Sequence, residues 1–261
     1  MRVEMTWSER SETSITQHDI VLGLQALGLQ SGASVLVHSS LSSFGYVEGG
    51  ADTVIDALLA AVGPEGTILV PTLTGSEALH AHNPPVFDPV TTPCWTGRIP
   101  ETFRKRMKAV RSLHPTHSVA GIGAQAAAFT VGHEYSITPC GPDSPYGRLS
   151  DAGGYILLLG VTHAVNTTFH LVEEMVGVPY HMRSGLVPAR VTQGNAQRTI
   201  HLMIHRYGPR RNFERMEPVF RERGIQRDGQ IGLCHARLVD ARRMVQVVSQ
   251  ALRQDPTILL A

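Results

Sequence analysis

Cysteine is scarce in this chain of 261 residues: Cys94, Cys140 and Cys234 are the only three. They are far apart and odd in number, and none forms a C-x-x-C pair, which excludes a disulfide framework and a cysteine-based zinc site. Charge is also sparse, at 17% Asp, Glu, Lys and Arg against about 25% in ordinary globular chains. With a net charge of +1 there is no concentrated basic surface to argue for nucleic acid. Long apolar runs are missing too. The longest, Tyr155 to Val161, falls far short of the roughly 20 residues that span a bilayer, so no membrane partner is expected. The N-terminal stretch MRVEMTWSERSETSITQHD has no apolar core and does not read as a secretory signal. A soluble cytoplasmic protein is the expectation, either monomer or homodimer. Neither G-x-x-x-x-G-K-[ST] nor a strict G-x-G-x-x-G is present, which leaves kinase and dinucleotide readings unsupported.

What is present is a hydrophobic fraction of 42%, enough for one large core over residues 1–261, and 13 histidines. Histidine titrates nearest to neutral pH and is the commonest metal ligand, so the question is which of the 13 do chemistry.

The periodicity predicts an amphipathic helix over 16–27, with Thr16 as N-cap and Gly28 as stop. A β-rich run at 34–38 leads into Ser39 and Ser40, a second helix covers 51–62, and a strand covers 67–71. Strand, helix and strand in under 40 residues indicate an α/β protein with a parallel sheet. Pro84, Pro85, Pro89, Pro93 and Pro100 make 75–100 a long loop, and loops of that length are usually functional. A helix is expected over 99–107, a buried strand over 155–161, a helix over 168–176 and a last amphipathic helix over 242–253. After Pro179 the pattern is Arg-rich and less regular.

Three segments could carry chemistry. His38-Ser39-Ser40-Leu41 follows a strand, where α/β sheets bind ligands and where hydroxyls and free N–H groups take a phosphate. The bland alternative is an ordinary capped turn. His114-Pro115-Thr116-His117-Ser118 carries two histidines around a proline that disfavours helix. It is either a rigid wall beside a substrate or a pair of packing histidines. Asn166-Thr167-Thr168-Phe169-His170 opens a helix after the buried strand, with Glu173 and Glu174 three and four residues on, within reach of His170 on one face. A carboxylate beside an imidazole fixes its tautomer and raises its basicity, as general-base catalysis needs.

Taken in order, His38-Ser39-Ser40, Arg111 to Ser118, the run Thr138-Pro139-Cys140-Gly141-Pro142-Asp143-Ser144-Pro145-Tyr146-Gly147, and Leu157 to Val161 followed by Asn166 to His170 resemble the aminoglycoside 3-N-acetyltransferase family. The likeness extends from about residue 15 to the C-terminus, where Glu217-Pro218 and Asp255-Pro256 also fit. It implies a three-layer α/β/α fold around a central mixed, largely parallel sheet. It also implies acetyl transfer from acetyl-CoA, as co-substrate, to an aminoglycoside's 3-amino group, with antibiotic resistance as the outcome. By the same resemblance, His38, Ser39, Ser40 and Leu41 form the CoA-binding turn. His114, Pro115, His117, Ser118, Ser144 and Tyr146 wall the same region, and His170 is the catalytic histidine with Glu173 or Glu174 as its partner. Two departures concern the acceptor side: Gly232-Leu233-Cys234-His235-Ala236 stands where relatives have Gly-x-Asn-Ala, and 207–213 lacks an acid expected near the antibiotic's amines.

Only an unprotonated amine attacks a thioester, so a base near neutrality such as His170 suits the reaction. Ser39, Thr168 or Ser118 could stabilise the oxyanion. Transfer is expected to be direct, with Cys140 the residue that could instead carry an acetyl group. A polycationic acceptor calls for local acids, with Asp88, Asp151, Glu173, Glu174 and Glu217 as candidates and Asn166 as a polar contact. No metal is expected. The competing readings are a CoA- or nucleotide-binding module without antibiotic activity, and a metal-dependent hydrolase using His114, His117, His170 and a Glu.

Overall fold

The computed structural model describes residues 14–261. The preceding thirteen, most of the stretch read above as no secretory signal, lie outside the described residues. The elements run α1 (Gln17–Ala26), β1 (Ser34–Ser39), α2 (Ala51–Val62), β2 (Thr67–Pro71), β3 (Val86–Phe87), α3 (Arg98–Phe103), β4 (Val110–Arg111), β5 (Val119–Gly123) and α4 (Ala126–Thr130). They continue α5 (Pro145–Asp151), β6 (Tyr155–Leu159), α6 (Thr168–Val176), β7 (Val187–Gln193), β8 (Ala196–Leu202), α7 (Glu217–Glu222), β9 (Gln226–Ile231), β10 (Cys234–Asp240) and α8 (Ala241–Gln254).

Seven strands form one mixed sheet in the order β4-β5-β2-β1-β6-β10-β9. Parallel pairing is confined to its centre, where β1 joins β2 and β6; the four flanking pairings are antiparallel. Successive residues of the central strands point to opposite faces. Val35, Val37, Ile68, Val70, Leu157 and Leu159 therefore pack with α1 and α2 in one core cluster. Leu36, Leu69, Ile156 and Leu158 pack with Tyr146, Phe169 and the apolar stripe of α8 in another. Two cores on one sheet make the three layers, and strands buried on both faces explain the near-continuous apolar runs at 67–71 and 155–159.

The helix starts follow the capping chemistry. Thr16 and Asp19 form a reciprocal capping box at α1, and the Asp240 side chain accepts from the Arg243 N–H at α8. The proline-rich segment is not without structure: β3 lies in it and pairs in parallel with β7, giving a second sheet of order β3-β7-β8. The Arg-rich stretch after Pro179 likewise folds as the hairpins β7–β8 and β9–β10. No helix among the described residues is long and apolar enough to cross a membrane.

Candidate active site

The carboxyl ends of β1, β2 and β6 lie on one edge of the sheet, and the chain that follows β6 builds the site there. Asn166 accepts the Thr168 N–H on Oδ1 at 3.1 Å and reaches His163 Nδ1 with its amide at 3.2 Å, which fixes the first turn of α6. That helix buries Phe169, Leu171 and Val172 and thereby turns His170 outward. Gly177 closes it in the left-handed conformation (φ 74°), a shape open to glycine at little cost. The reversed chain carries His181 back against His170, with ring centroids 4.9 Å apart and planes at 19°.

His170 and Glu173 meet across one turn, as the spacing implies: His170 Nδ1 lies 2.7 Å from Glu173 Oε2. Glu174 faces elsewhere. It accepts the Cys140 N–H at 2.9 Å and lies 2.7 Å from His205 Nε2. Glu173 is thus the partner of His170, a choice that spacing alone left open. Its carboxylate is fully buried and also lies 3.1 Å from His181 Nδ1 and 3.2 Å from Arg211 Nε. Burial pushes this carboxyl up, but the hydrogen bond with His170 and the charges of His170, His181 and Arg211 outweigh it and hold the group at about 2. A carboxylate that stays ionised orients the ring through Nδ1 and leaves Nε2 as its basic nitrogen.

Two cavities meet at His170. One, of about 480 Å³, runs past His38, Ser39, Pro71, Thr96, Gly97 and Asn166. The other, of about 320 Å³, runs past His117, His181, His205, Arg206, Arg210 and Arg211. Leu73, Trp95, Ala164 and Phe213 border both. A third recess continues the first past Ser39, Ser40, Leu41 and Arg98.

The sequence-based candidates divide accordingly. His38 and Ser39 line the first cavity. Burial, with a smaller contribution from His163, pushes His38 down to about 3, so it sits there as a neutral ring. The Ser39 hydroxyl is buried with no protein partner. Ser40 and Leu41 face the recess. His117 borders the second cavity instead. His114 lies behind it, fully buried and stacked on His133 at 4.6 Å, and burial holds it well below its ordinary range. Pro115 offers its carbonyl to Thr74. Ser118 donates to the Thr72 carbonyl at 2.7 Å and meets the Arg111 guanidinium at 3.0 Å. Ser144 caps α5 through the Gly147 N–H, and Tyr146 is fully buried in the core. Neither Pro115, Ser118, Ser144 nor Tyr146 borders a described cavity, so their part is to frame the walls rather than form them. Thr168 is buried with an unpartnered hydroxyl, but residues two apart on a helix point to opposite sides, and it does not stand beside His170.

Of the acids expected around a cationic acceptor, Glu173 and Glu174 stand behind the rings of His170, His181 and His205, and the other three are not brought to the site. Asp151 ends α5, at the opposite end of the sheet, where its carbonyl accepts from Arg242. Glu217 is taken up by Arg237 at 2.6 Å and Arg221 at 2.7 Å. Asp88 accepts the N–H groups of Val90 and Thr91 in its own loop. Among the described residues no carboxylate borders any of the three cavities. The Gly232 turn, read above as acceptor-side, sets Leu233 against Gly45, which borders the recess beyond Ser39. Sequence reasoning also missed His181, His205, Arg211 and Trp95. No local motif marks any of the four: His181 meets Glu173 only across the turn at Gly177, and His205 and Arg211 meet Glu174 and Glu173 from more than thirty residues away.

The aminoglycoside 3-N-acetyltransferase family profile matches residues 36–253. The chain is 38% identical to aminoglycoside N(3)-acetyltransferase VII of Streptomyces paromomycinus over 67% of its length and 66% of that protein. It is 34% identical to aminoglycoside N(3)-acetyltransferase IV of a Salmonella species over 93% of its length and 89% of the relative. Among solved structures, AAC-IIIb in binary complex with CoASH superposes with a TM-score of 0.80 at 26% identity, covering 92% of this chain and 97% of that one.

Proposed function

Because the chain belongs to the aminoglycoside 3-N-acetyltransferase family, we propose that it acetylates the 3-amino group of an aminoglycoside by direct transfer from acetyl-CoA, with His170 as general base. The observation that carries the base assignment is the 2.7 Å contact from His170 Nδ1 to the buried Glu173 carboxylate, at the one side chain of the pair that borders both main cavities. Acetyl-CoA is the donor, as the relative solved with CoASH supports, and it lies along the first cavity in this reading. The wall of Ser39, Gly97 and the backbone after β1 suits a thioester chain. The acceptor then approaches from the second cavity.

The 3-amine reacts in its neutral form, its ammonium proton having been lost to solvent, and His170 Nε2 takes a second proton from the nitrogen as it attacks the thioester carbonyl. The tetrahedral oxyanion is met by the Ser39 hydroxyl, which has no partner within the protein. Collapse forms the amide, and the proton held on His170 passes to the departing CoA sulfur. Glu173 remains ionised throughout and offsets the imidazolium. No acetyl-enzyme is needed: Cys140 is fully buried and borders none of the cavities, and burial together with Glu174 and Glu173 pushes its thiol well above the ordinary range. Dependence on acetyl-CoA supports a cytoplasmic location, and the expected outcome for the host is antibiotic resistance.

Release of CoA thiol with and without an aminoglycoside tests the assignment. Release should depend on the acceptor, and His170→Ala should lower kcat by roughly 10²–10⁴-fold. Near-full turnover of that variant at saturating substrates would remove His170 from the chemistry.

A further inference from the structure

Acetyl transfer uses one imidazole, yet three converge beside the second cavity. One ring nitrogen from each of His170, His181 and His205 lies within 4.8 Å of the other two. Their ring centroids are 4.9, 5.0 and 4.1 Å apart for the pairs 170–181, 170–205 and 181–205. Each ring also has a nitrogen beside a carboxylate. His170 Nδ1 and His181 Nδ1 share Glu173 Oε2 at 2.7 and 3.1 Å, and His205 Nε2 sits 2.7 Å from Glu174 Oε1. A carboxylate on one imidazole nitrogen sets the tautomer and raises the donor strength of the other, which is how the second shell of histidine metal sites works.

His181 Nδ1 lies 3.1 Å from the Arg211 guanidinium as well as 3.1 Å from Glu173 Oε2. Its Nε2 is a buried atom with no hydrogen-bond partner, 3.8 Å from Glu174 Oε1, and a buried polar atom left unsatisfied in this way is open to a ligand. The charged groups around it are Glu173, Glu174 and Arg211, two negative against one positive.

We propose that His170, His181 and His205 form a site for a divalent transition metal such as Zn²⁺, with the fourth position open to the cavity they line, and that its occupancy silences acetyl transfer by taking the lone pair of His170. Three imidazoles with carboxylate second shells and one open position suit zinc. The inhibitory half rests on His170 being the base; the binding half does not. His117, Cys140 and His205 form a second converging set, but all three are buried and the thiol resists ionisation, so the open cluster is the site.

Chelator-treated wild-type protein is titrated with Zn²⁺ by calorimetry and with Co²⁺ by visible absorption. The expected result is one equivalent bound in the micromolar range or tighter. The Co²⁺ complex should show tetrahedral d–d bands and no thiolate charge-transfer band in the near ultraviolet. Absence of saturable binding overturns the site with no variant needing to fold, and a thiolate band overturns this ligand set. His181→Gln and His205→Gln should each weaken Zn²⁺ binding at least about tenfold; unchanged affinity in both also overturns it. Zn²⁺ should abolish turnover in step with occupancy. If turnover persists at full occupancy while His170→Ala is inactive, the inhibitory half fails alone. If His170→Ala is active, the base assignment has failed instead, and the titration still decides the site.

Discussion

Glu173 serves two imidazoles and one guanidinium with a single carboxylate, whereas Glu174, one residue on, holds the Cys140 backbone and His205. The pair looks interchangeable in sequence, and the contacts give them different work. Glu173→Gln keeps the shape and removes the charge that offsets the imidazolium. It should lower kcat roughly 10–100-fold, the usual cost of losing such a second-shell partner, while the KM for acetyl-CoA stays within about twofold of the wild-type value. Steady-state kinetics on both substrates would check this, and a change confined to KM would count against it. A second contrast separates two serines of the same resemblance. Ser39 borders the first cavity with an unpaired hydroxyl, and Ser144 caps a helix. Ser39→Ala should lower kcat by roughly 10²-fold through the lost oxyanion donor and raise the KM for acetyl-CoA several-fold. Ser144→Ala should leave it alone and cost about 1 kcal/mol of stability, measurable by denaturant titration. The reverse pattern would restore Ser144 to the cofactor wall.

At the scale of elements, α7, β9 and β10 are joined through Glu217. Its carboxylate takes Arg237 at 2.6 Å, Arg221 at 2.7 Å and the Gln226 amide at 3.0 Å. Burial pushes its carboxyl up, but Gln226 and Arg237 outweigh that and hold it below the ordinary range. A group lowered in the folded state gives its full stabilisation above its unfolded pKa, and loses it as pH falls through that value toward the folded one. The wild-type protein should therefore lose more thermal stability as pH falls from about 5 to about 3 than Glu217→Gln does. Glu217→Ala leaves the largely buried Arg237 with the Val161 carbonyl at 3.0 Å and Asp228 at 3.9 Å, and should cost about 2 kcal/mol near neutrality. Thermal melts across that pH range read both.

Elements of this kind also mark what the sequence could say. The helices at 51–62 and 168–176 and the strand at 67–71 match their expected bounds, because apolar period and end signals are local. The helix expected over 99–107 stops at Phe103. The strands β7 to β10 fall in the stretch expected to be irregular: β8 and β9 are largely polar and exposed, although β7 does alternate, burying Val187, Ala189 and Val191, and β10 is buried along most of its length. For the site, His170 and a carboxylate one turn on were legible from spacing. His181, His205 and Arg211 were not, since they reach Glu173 and Glu174 only through the turn at Gly177 and the strands of the second sheet.

The whole molecule sets its chemistry on one edge of a sheet, with His170 at the junction of two cavities that have different walls. A donor lying along the first does not cover the mouth of the second, and an acceptor in the second leaves the first open. Neither substrate has to depart, or even to arrive, before the other. Initial-rate plots should therefore intersect to the left of the vertical axis instead of running parallel. Each product should compete with the substrate that shares its cavity: CoA against acetyl-CoA, and the acetylated amine against its parent. Parallel lines would mean that the acetyl group rests on the protein between two half-reactions. Two entrances to one imidazole thus make a prediction about order, and the order is random.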